Sequence, residues 1–247
     1  MDFIREVVMD ESIRATASDG HEFDIYLAQS KGSPRGGIVL IQEIFGVNNH
    51  IKSVAEKFAS NGYLVGAPSL FDRVKPDIQL GYTIEDVTRG KELKEISGNE
   101  RPLIDIEATL SIVRSAGNVA VVGYCWGGTL AWLSACQVDG FNAAVSYYGG
   151  GIGELTSMQP KCPSIFHFGE QDHGIPITEI NSLKQAHPEC PIYIYPAGHG
   201  FNCEQRDSFH LTSSKIAFER TIQHLSLIHI SEPTRLLSIW YAGLCVK

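Results

Sequence analysis

Three residues of this chain, a cysteine, an aspartate and a histidine in that order, are of types that could do chemistry together. Cys125 lies in Gly123-Tyr124-Cys125-Trp126-Gly127-Gly128, after the apolar β-type run 119–122 and before the helix-forming run 129–137. A reactive side chain flanked by small residues at a sharp strand-to-helix turn is a nucleophile elbow, here with cysteine in the place usually held by serine. The glycines relieve the crowding of a strained turn, which pushes the central side chain out above the sheet. The free N–H groups at the start of the following helix favour a thiolate and any oxyanion formed from a substrate.

Such a nucleophile needs a base, and the base needs an orienter. Asp172, in Gly169-Glu170-Gln171-Asp172-His173, follows the β-type run 164–168. His199, in Ala197-Gly198-His199-Gly200-Phe201, follows the run 191–196. Both fall at the carboxyl ends of strands, the edge where open α/β sheets gather their ligands. Nucleophile, acid, histidine is the chain order of α/β hydrolases. The plainer readings are a buried small thiol, a turn aspartate and a hydrogen-bonded loop histidine. The elbow glycines and the matching order favour the triad, whereas Cys136 and Cys162 have no such context and read as buried apolar residues.

Five blocks carry a family resemblance: Gln42-Glu43-Ile44-Phe45-Gly46-Val47, the elbow, Tyr147-Tyr148-Gly149, the Asp172 block and the His199 block. From residue 38 to about 225 the chain resembles dienelactone hydrolase, also called carboxymethylenebutenolidase. The resemblance implies a hydrolase of an enol lactone or small activated ester, with Cys125 as nucleophile, His199 as base and Asp172 as orienter. It also implies that Glu43 contacts the resting thiol and that the N–H groups of Ile44 and Trp126 form the oxyanion hole. A carboxylate following the run 38–41 reaches the same sheet edge as Cys125, and a carboxylate near a thiol disfavours the thiolate.

The family binds its substrate's free carboxylate with arginines, one of them shortly after the histidine. Here the near positions are Phe201, Asn202 and Cys203, and the nearest arginine is Arg206. Tyr147, Phe201 and Arg206 are therefore the candidate substrate contacts, with Arg73 and Arg89 as candidates for a second cation. This departure leaves the chemistry intact and opens the substrate's identity. The alternatives are a broad carboxylesterase or thioesterase on the same scaffold, and a non-catalytic α/β protein that uses Cys125 as a redox sensor. No resolving cysteine stands at a fixed spacing, which counts against the sensor.

The elements that must position these residues alternate along the chain. Residues 22–28, 38–41, 63–67, 119–122, 164–168 and 191–196 read as strands. Helical spacing recurs at Ile51, Val54, Ala55, Phe58 and Ala59, then at Leu103, Ile106, Leu110 and Val113. Helices over 180–186 and 213–225 close the remaining crossovers. This βα alternation predicts an α/β-hydrolase fold, a mostly parallel central sheet with helices on both faces, in one domain over 1–225.

The composition suits that domain. The 247 residues are 43% hydrophobic and 19% charged, the balance of a globular protein with a sizeable core. A net charge of −8 with no basic run argues against nucleic acid. The N-terminus has no secretory pattern, and the six cysteines have no paired spacing, so a cytoplasmic monomer with reduced thiols, acting on a small molecule, is expected. Gly149-Gly150-Gly151-Ile152-Gly153 lacks the phosphate-loop pattern. His167, Asp172 and His173 lack a third spaced ligand, so neither cofactor nor metal is expected. Residues 226–247 do not fit: Leu227-Ile228-His229-Ile230-Ser231-Glu232-Pro233-Thr234-Arg235 resembles vector or adapter read-through, and Pro233 interrupts a stretch too short to span a bilayer.

Overall fold

The computed structural model describes residues 11–229. Eight strands, β1 (Glu11–Thr16), β2 (Glu22–Ala28), β3 (Gly36–Ile41), β4 (Tyr63–Pro68), β5 (Val119–Tyr124), β6 (Ala143–Tyr147), β7 (Ser164–Gly169) and β8 (Ile192–Tyr195), form one sheet. Their order is β1-β2-β4-β3-β5-β6-β7-β8. Strand β2 runs antiparallel to β1 and β4, and every other pairing is parallel. The helices are α1 (Asn49–Ser60), α2 (Ile84–Ser97), α3 (Glu100–Val113), α4 (Trp126–Gln137), α5 (Ile177–Ala186) and α6 (Leu211–His229).

The apolar strand runs are long because both faces of the sheet are covered. Side chains alternate along a strand, so Ile38 and Leu40 of β3 belong to the core cluster that includes residues of α1, α5 and α6, while Val39 and Ile41 belong to the one that includes α3 and α4. This is the α/β-hydrolase arrangement expected from the alternation. Helix α1 starts where the Asn48 side chain accepts the Ile51 N–H and stops at Asn61.

Three elements go beyond the sequence reading. Strand β1 is an edge strand, β6 ends at Tyr147, and α2 lies between the strand read at 63–67 and the helix read from Leu103, where the sequence reading assigned no element. Helix α6 passes the proposed boundary at Leu225 and continues to His229, and Ser226 accepts a hydrogen bond from Arg35 at 2.9 Å. The remainder of the 226–247 segment lies outside the described residues.

Candidate active site

Strand β5 runs straight into Cys125, whose backbone holds φ 54° and ψ −119° before α4 begins at Trp126. A non-glycine residue with positive φ is strained, and neighbouring groups must hold it there. The Cys125 N–H donates to the Tyr147 carbonyl at 2.9 Å, which ties the elbow to β6. A Cβ at Gly123 would collide with the Gly127 carbonyl, and one at Gly127 would sit 2.5 Å from the carbonyl oxygens of Ile41 and Gln42. Only residues without a side chain let the turn pack this closely against β3.

The loops after β7 and β8 bring the partners. His199 Nε2 lies 3.1 Å from Cys125 Sγ, and its Nδ1 lies 2.7 Å from Asp172 Oδ2. The other oxygen of Asp172 accepts the Gly174 N–H at 2.9 Å, which fixes the buried carboxylate toward the ring. Burial pulls the His199 ring down, but the Cys125 sulfur and the Asp172 carboxylate outweigh it and hold the ring up to about 10. Such an arrangement can stabilise a nucleophilic sulfur, then pass a proton to a leaving group.

Glu43 is buried just past β3, but its carboxylate pairs with Arg206 at 3.5 Å and takes no hydrogen bond. The hydrogen-bond partner of the Cys125 thiol is His199, so the Glu43–thiol contact implied by the family is not the contact made here. Arg206 also lies against the Phe45 and Tyr82 rings.

A cleft of about 650 Å³ opens over this constellation. Ile44, Trp126, Cys125, Asp172, His199 and Arg206 line it. Trp126 opens α4, where first-turn N–H groups have no partner within the helix. Its indole donates to Asn99 at 2.9 Å and stacks on Phe71, which fixes the residue. Ile44 and Trp126 both line the cleft beside Cys125.

Two expected substrate contacts are corrected. Tyr147 is fully buried, with its hydroxyl 2.7 Å from Thr221 and its ring stacked on Tyr124, because its strand position turns it into the core. Phe201 is likewise fully buried, packed against Tyr148 and Tyr195. Neither lines the cleft. Tyr148 packs against the His199 ring, with ring centroids 5.1 Å apart, so it supports the base. Of the further arginines, Arg73 is held by both oxygens of Asp105 and by Asp19, and Arg89 pairs with Glu92. The cations sequence reasoning missed are Lys91 and Lys94, exposed on α2, which line the cleft with Val87 and have no ion-pair partner among the described residues. The spacing 87, 91, 94 marks one helix face and was available as a signal.

All five cysteines among the described residues are free thiols. No helix among the described residues is long and apolar enough to cross a membrane.

Comparison with known proteins agrees with this geometry. The profile of the dienelactone hydrolase family matches residues 23–228. A carboxymethylenebutenolidase of Pseudomonas putida is 30% identical over 239 residues, covering 92% of this chain and all (100%) of the relative. A Synechocystis protein provisionally named carboxymethylenebutenolidase is 32% identical over 206 residues, covering 75% of this chain and 83% of its own. A crystal structure from Klebsiella pneumoniae, provisionally named a dienelactone hydrolase, superposes with a TM-score of 0.77 at 26% identity, over 88% of this chain and 99% of that one. The chain belongs to the dienelactone hydrolase family and is, with it, a carboxylic ester hydrolase.

Proposed function

We propose that the protein hydrolyses a lactone or small activated ester bearing a negative charge, through a thioester on Cys125. The observation that carries this reading is His199, held between Cys125 Sγ and Asp172 on the wall of the cleft. The sulfur attacks the substrate carbonyl carbon, and the oxyanion takes the N–H groups of Ile44 and Trp126. As the tetrahedral intermediate collapses, the carbon–oxygen bond breaks and the leaving oxygen takes the proton from His199. Water then loses a proton to His199 and attacks the thioester; the acid is released and the sulfur regains its starting charge. A thiolate is itself readily expelled from a tetrahedral intermediate, so enol and other good leaving groups suit it better than amines.

Arg206, Lys91 and Lys94 put three cations on a cleft whose carboxylate, Asp172, is engaged by His199. This supports a carboxylate-bearing substrate, recognised in part by lysines of α2. Glu43 serves as the charge partner of Arg206 when no substrate carboxylate is present.

Two measurements test the proposal. Cys125→Ala lowers kcat by on the order of 10⁴ or more while the melting curve is unchanged; activity within tenfold of wild type overturns the nucleophile. Lys91→Ala with Lys94→Ala lowers kcat/KM about tenfold or more for a carboxylate-bearing lactone and leaves an uncharged short-chain ester nearly unaffected, at roughly 1.5 kcal/mol for the exposed pair together. Equal losses on both substrates would favour the broad esterase instead. The redox-sensor alternative requires a reactive thiol that does not depend on His199, so His199→Ala with full peroxide sensitivity and no hydrolase activity in the wild type would favour it.

A further inference from the structure

Several glycines around the site are demanded by packing: a Cβ at Gly128 would sit 2.6 Å from the Tyr147 carbonyl oxygen, and one at Gly149 would sit 2.8 Å from the Gly128 carbonyl carbon. Gly150 is different. It lines the cleft, its φ lies outside the left-handed region, and a Cβ there would meet nothing nearer than Ile175 Cγ1 at 3.8 Å, an ordinary contact. Neither backbone conformation nor packing requires a glycine at this position, so what its bare backbone provides is space in the cleft itself. The Thr129 hydroxyl donates to the Gly150 carbonyl at 2.8 Å, which holds this floor in place and engages its acceptor. Ile175, 3% exposed, is the apolar wall beside it.

The order of the strand ends relates this space to the chemistry. Ile44 and Phe45 follow β3, Cys125 follows β5, Gly150 follows β6 and Ile175 follows β7, and these four strands are neighbours in the sheet in that order. At about 4.8 Å per strand, the cleft runs roughly 14 Å from the β3 end to the β7 end. The cations stand at the β3 end: Arg206 lies over Phe45, and α2, which carries Lys91 and Lys94, meets Ile44 at Gly90. His199 reaches Cys125 from the β8 side. Since His199 gives its proton to the leaving oxygen under the proposed mechanism, that oxygen lies on the Gly150–Ile175 side, away from the cations.

We propose that this end of the cleft is a subsite for an apolar substituent on the leaving-oxygen side of the substrate, and that Gly150 sets how large the substituent can be. On the hydrolytic reading above, on which this rests, the substrate is an enol or aryl ester, or a lactone with the same kind of group on the carbon that bears the ring oxygen. Its carboxylate lies at the β3 end and its apolar part over Gly150 and Ile175. A cleft of about 650 Å³ is in the range that encloses ligands well beyond a bare lactone ring in size.

The test uses the fumaric acid monoesters of 4-methylphenol and 4-butylphenol, which share a carboxylate and have leaving oxygens of nearly equal reactivity. Their affinities are measured by calorimetry on full-length Cys125→Ala protein, so no turnover is needed. The butyl ester should bind at least tenfold tighter, since each buried methylene contributes roughly fourfold. Adding Gly150→Val should bring the two esters within about threefold of each other by weakening the butyl ester alone, with Gly150→Ala intermediate. Equal affinities in the Cys125→Ala protein, or a Gly150→Val variant that weakens both esters alike, overturns the proposal. Melting curves establish that each variant is folded. If Gly150→Val does not fold, Gly150→Ala carries the decision: a butyl preference cut at least threefold supports the subsite, and an undiminished preference overturns it. Should Cys125→Ala still hydrolyse these esters, the thioester reading fails while the size preference is read from kcat/KM instead, so the two claims fall separately.

Discussion

At the scale of single residues, the state of His199 decides how the triad works. Its ring is held up to about 10 despite burial, by the Cys125 sulfur and the Asp172 carboxylate, which favours a preformed imidazolium that donates to Asp172 over a neutral base awaiting a proton. A carboxamide can still accept that N–H, so Asp172→Asn should lower kcat by only about ten- to a hundredfold, with the fold intact. A loss near 10⁴, the size seen where a histidine starts neutral and its tautomer matters, would contradict the preformed pair. Wild-type rates for both Asp172→Asn and Asp172→Ala would mean another group orients the ring. The ring itself can be followed by NMR: its titration midpoint, far above the ordinary 6.5, should fall in Cys125→Ala, which removes the largest raising influence.

A second histidine shows the opposite behaviour. His167 is buried on β7, bonded to Tyr195 and Thr221, and burial drives it down to about 3. The unfolded chain thus binds this proton near the ordinary 6.5 and the folded chain does not until about 3. Stability is lost as pH falls through that window, because the unfolded state binds more protons there. His167→Gln removes this linkage along with part of the network, so it should be less stable than wild type at pH 7. The difference in unfolding free energy between the two should narrow as pH drops from about 6.5 toward 3. A constant difference across that range would mean His167 is protonated in the folded protein.

At the scale of elements, α2 stands against the loop that carries Ile44. A Cβ at Gly90 would collide with the Ile44 carbonyl oxygen, so the absence of a side chain there sets how closely helix and loop approach. Glycine to alanine within a helix ordinarily gains about 1 kcal/mol of propensity. Here the clash with backbone should reverse the sign, at about 1–3 kcal/mol of overpacking. Gly90→Ala should therefore lower both the melting temperature and kcat, since Ile44 supplies an oxyanion donor under the proposed mechanism. A more stable, fully active variant would show that the loop yields freely.

The elements that were hard to read from the chain share one cause. Strands β3, β5 and β7 are sandwiched between helix layers and spell continuous apolar runs, so their positions and the residues at their ends were legible. Helix α2 buries little and exposes Ile84 and Ile96, at 83% and 58%, so no apolar stripe announced it. Strand β1 is an edge strand with Arg14 in its middle, paired outward to Asp24. Cys125, Asp172 and His199 were legible because each is fixed by its place after a strand. Substrate contacts were not, because a loop or helix face reaches the cleft by tertiary packing alone; Arg73 has the right charge and is consumed by Asp105 and Asp19.

At the scale of the whole molecule, the sheet's two flanks close differently. The β1–β2 flank is antiparallel, while the β7–β8 flank is braced by α6 through Thr221 and Arg220, which bond to Tyr147, His167 and Tyr195. That brace ties α6 to the sheet over residues 220–221. Truncation after His229 should leave melting temperature and kcat/KM unchanged. Truncation after Leu225 removes Ser226 and its bond to Arg35, and should lower the melting temperature by about 2–4 °C for a loss of roughly 1 kcal/mol. If truncation after His229 destabilises the protein as much, the final residues contribute to the fold.

The α2 stripe has an engineering consequence. Val87, Lys91 and Lys94 present to the cleft from a helix separate from the strand ends that carry Cys125, Asp172 and His199. Under the proposed mechanism, substrate preference and bond-breaking machinery are thus encoded in different stretches of chain. A combinatorial library at positions 87, 91 and 94, with Gly90 held fixed, would explore new substrate charges and shapes while the triad's geometry is carried over unchanged.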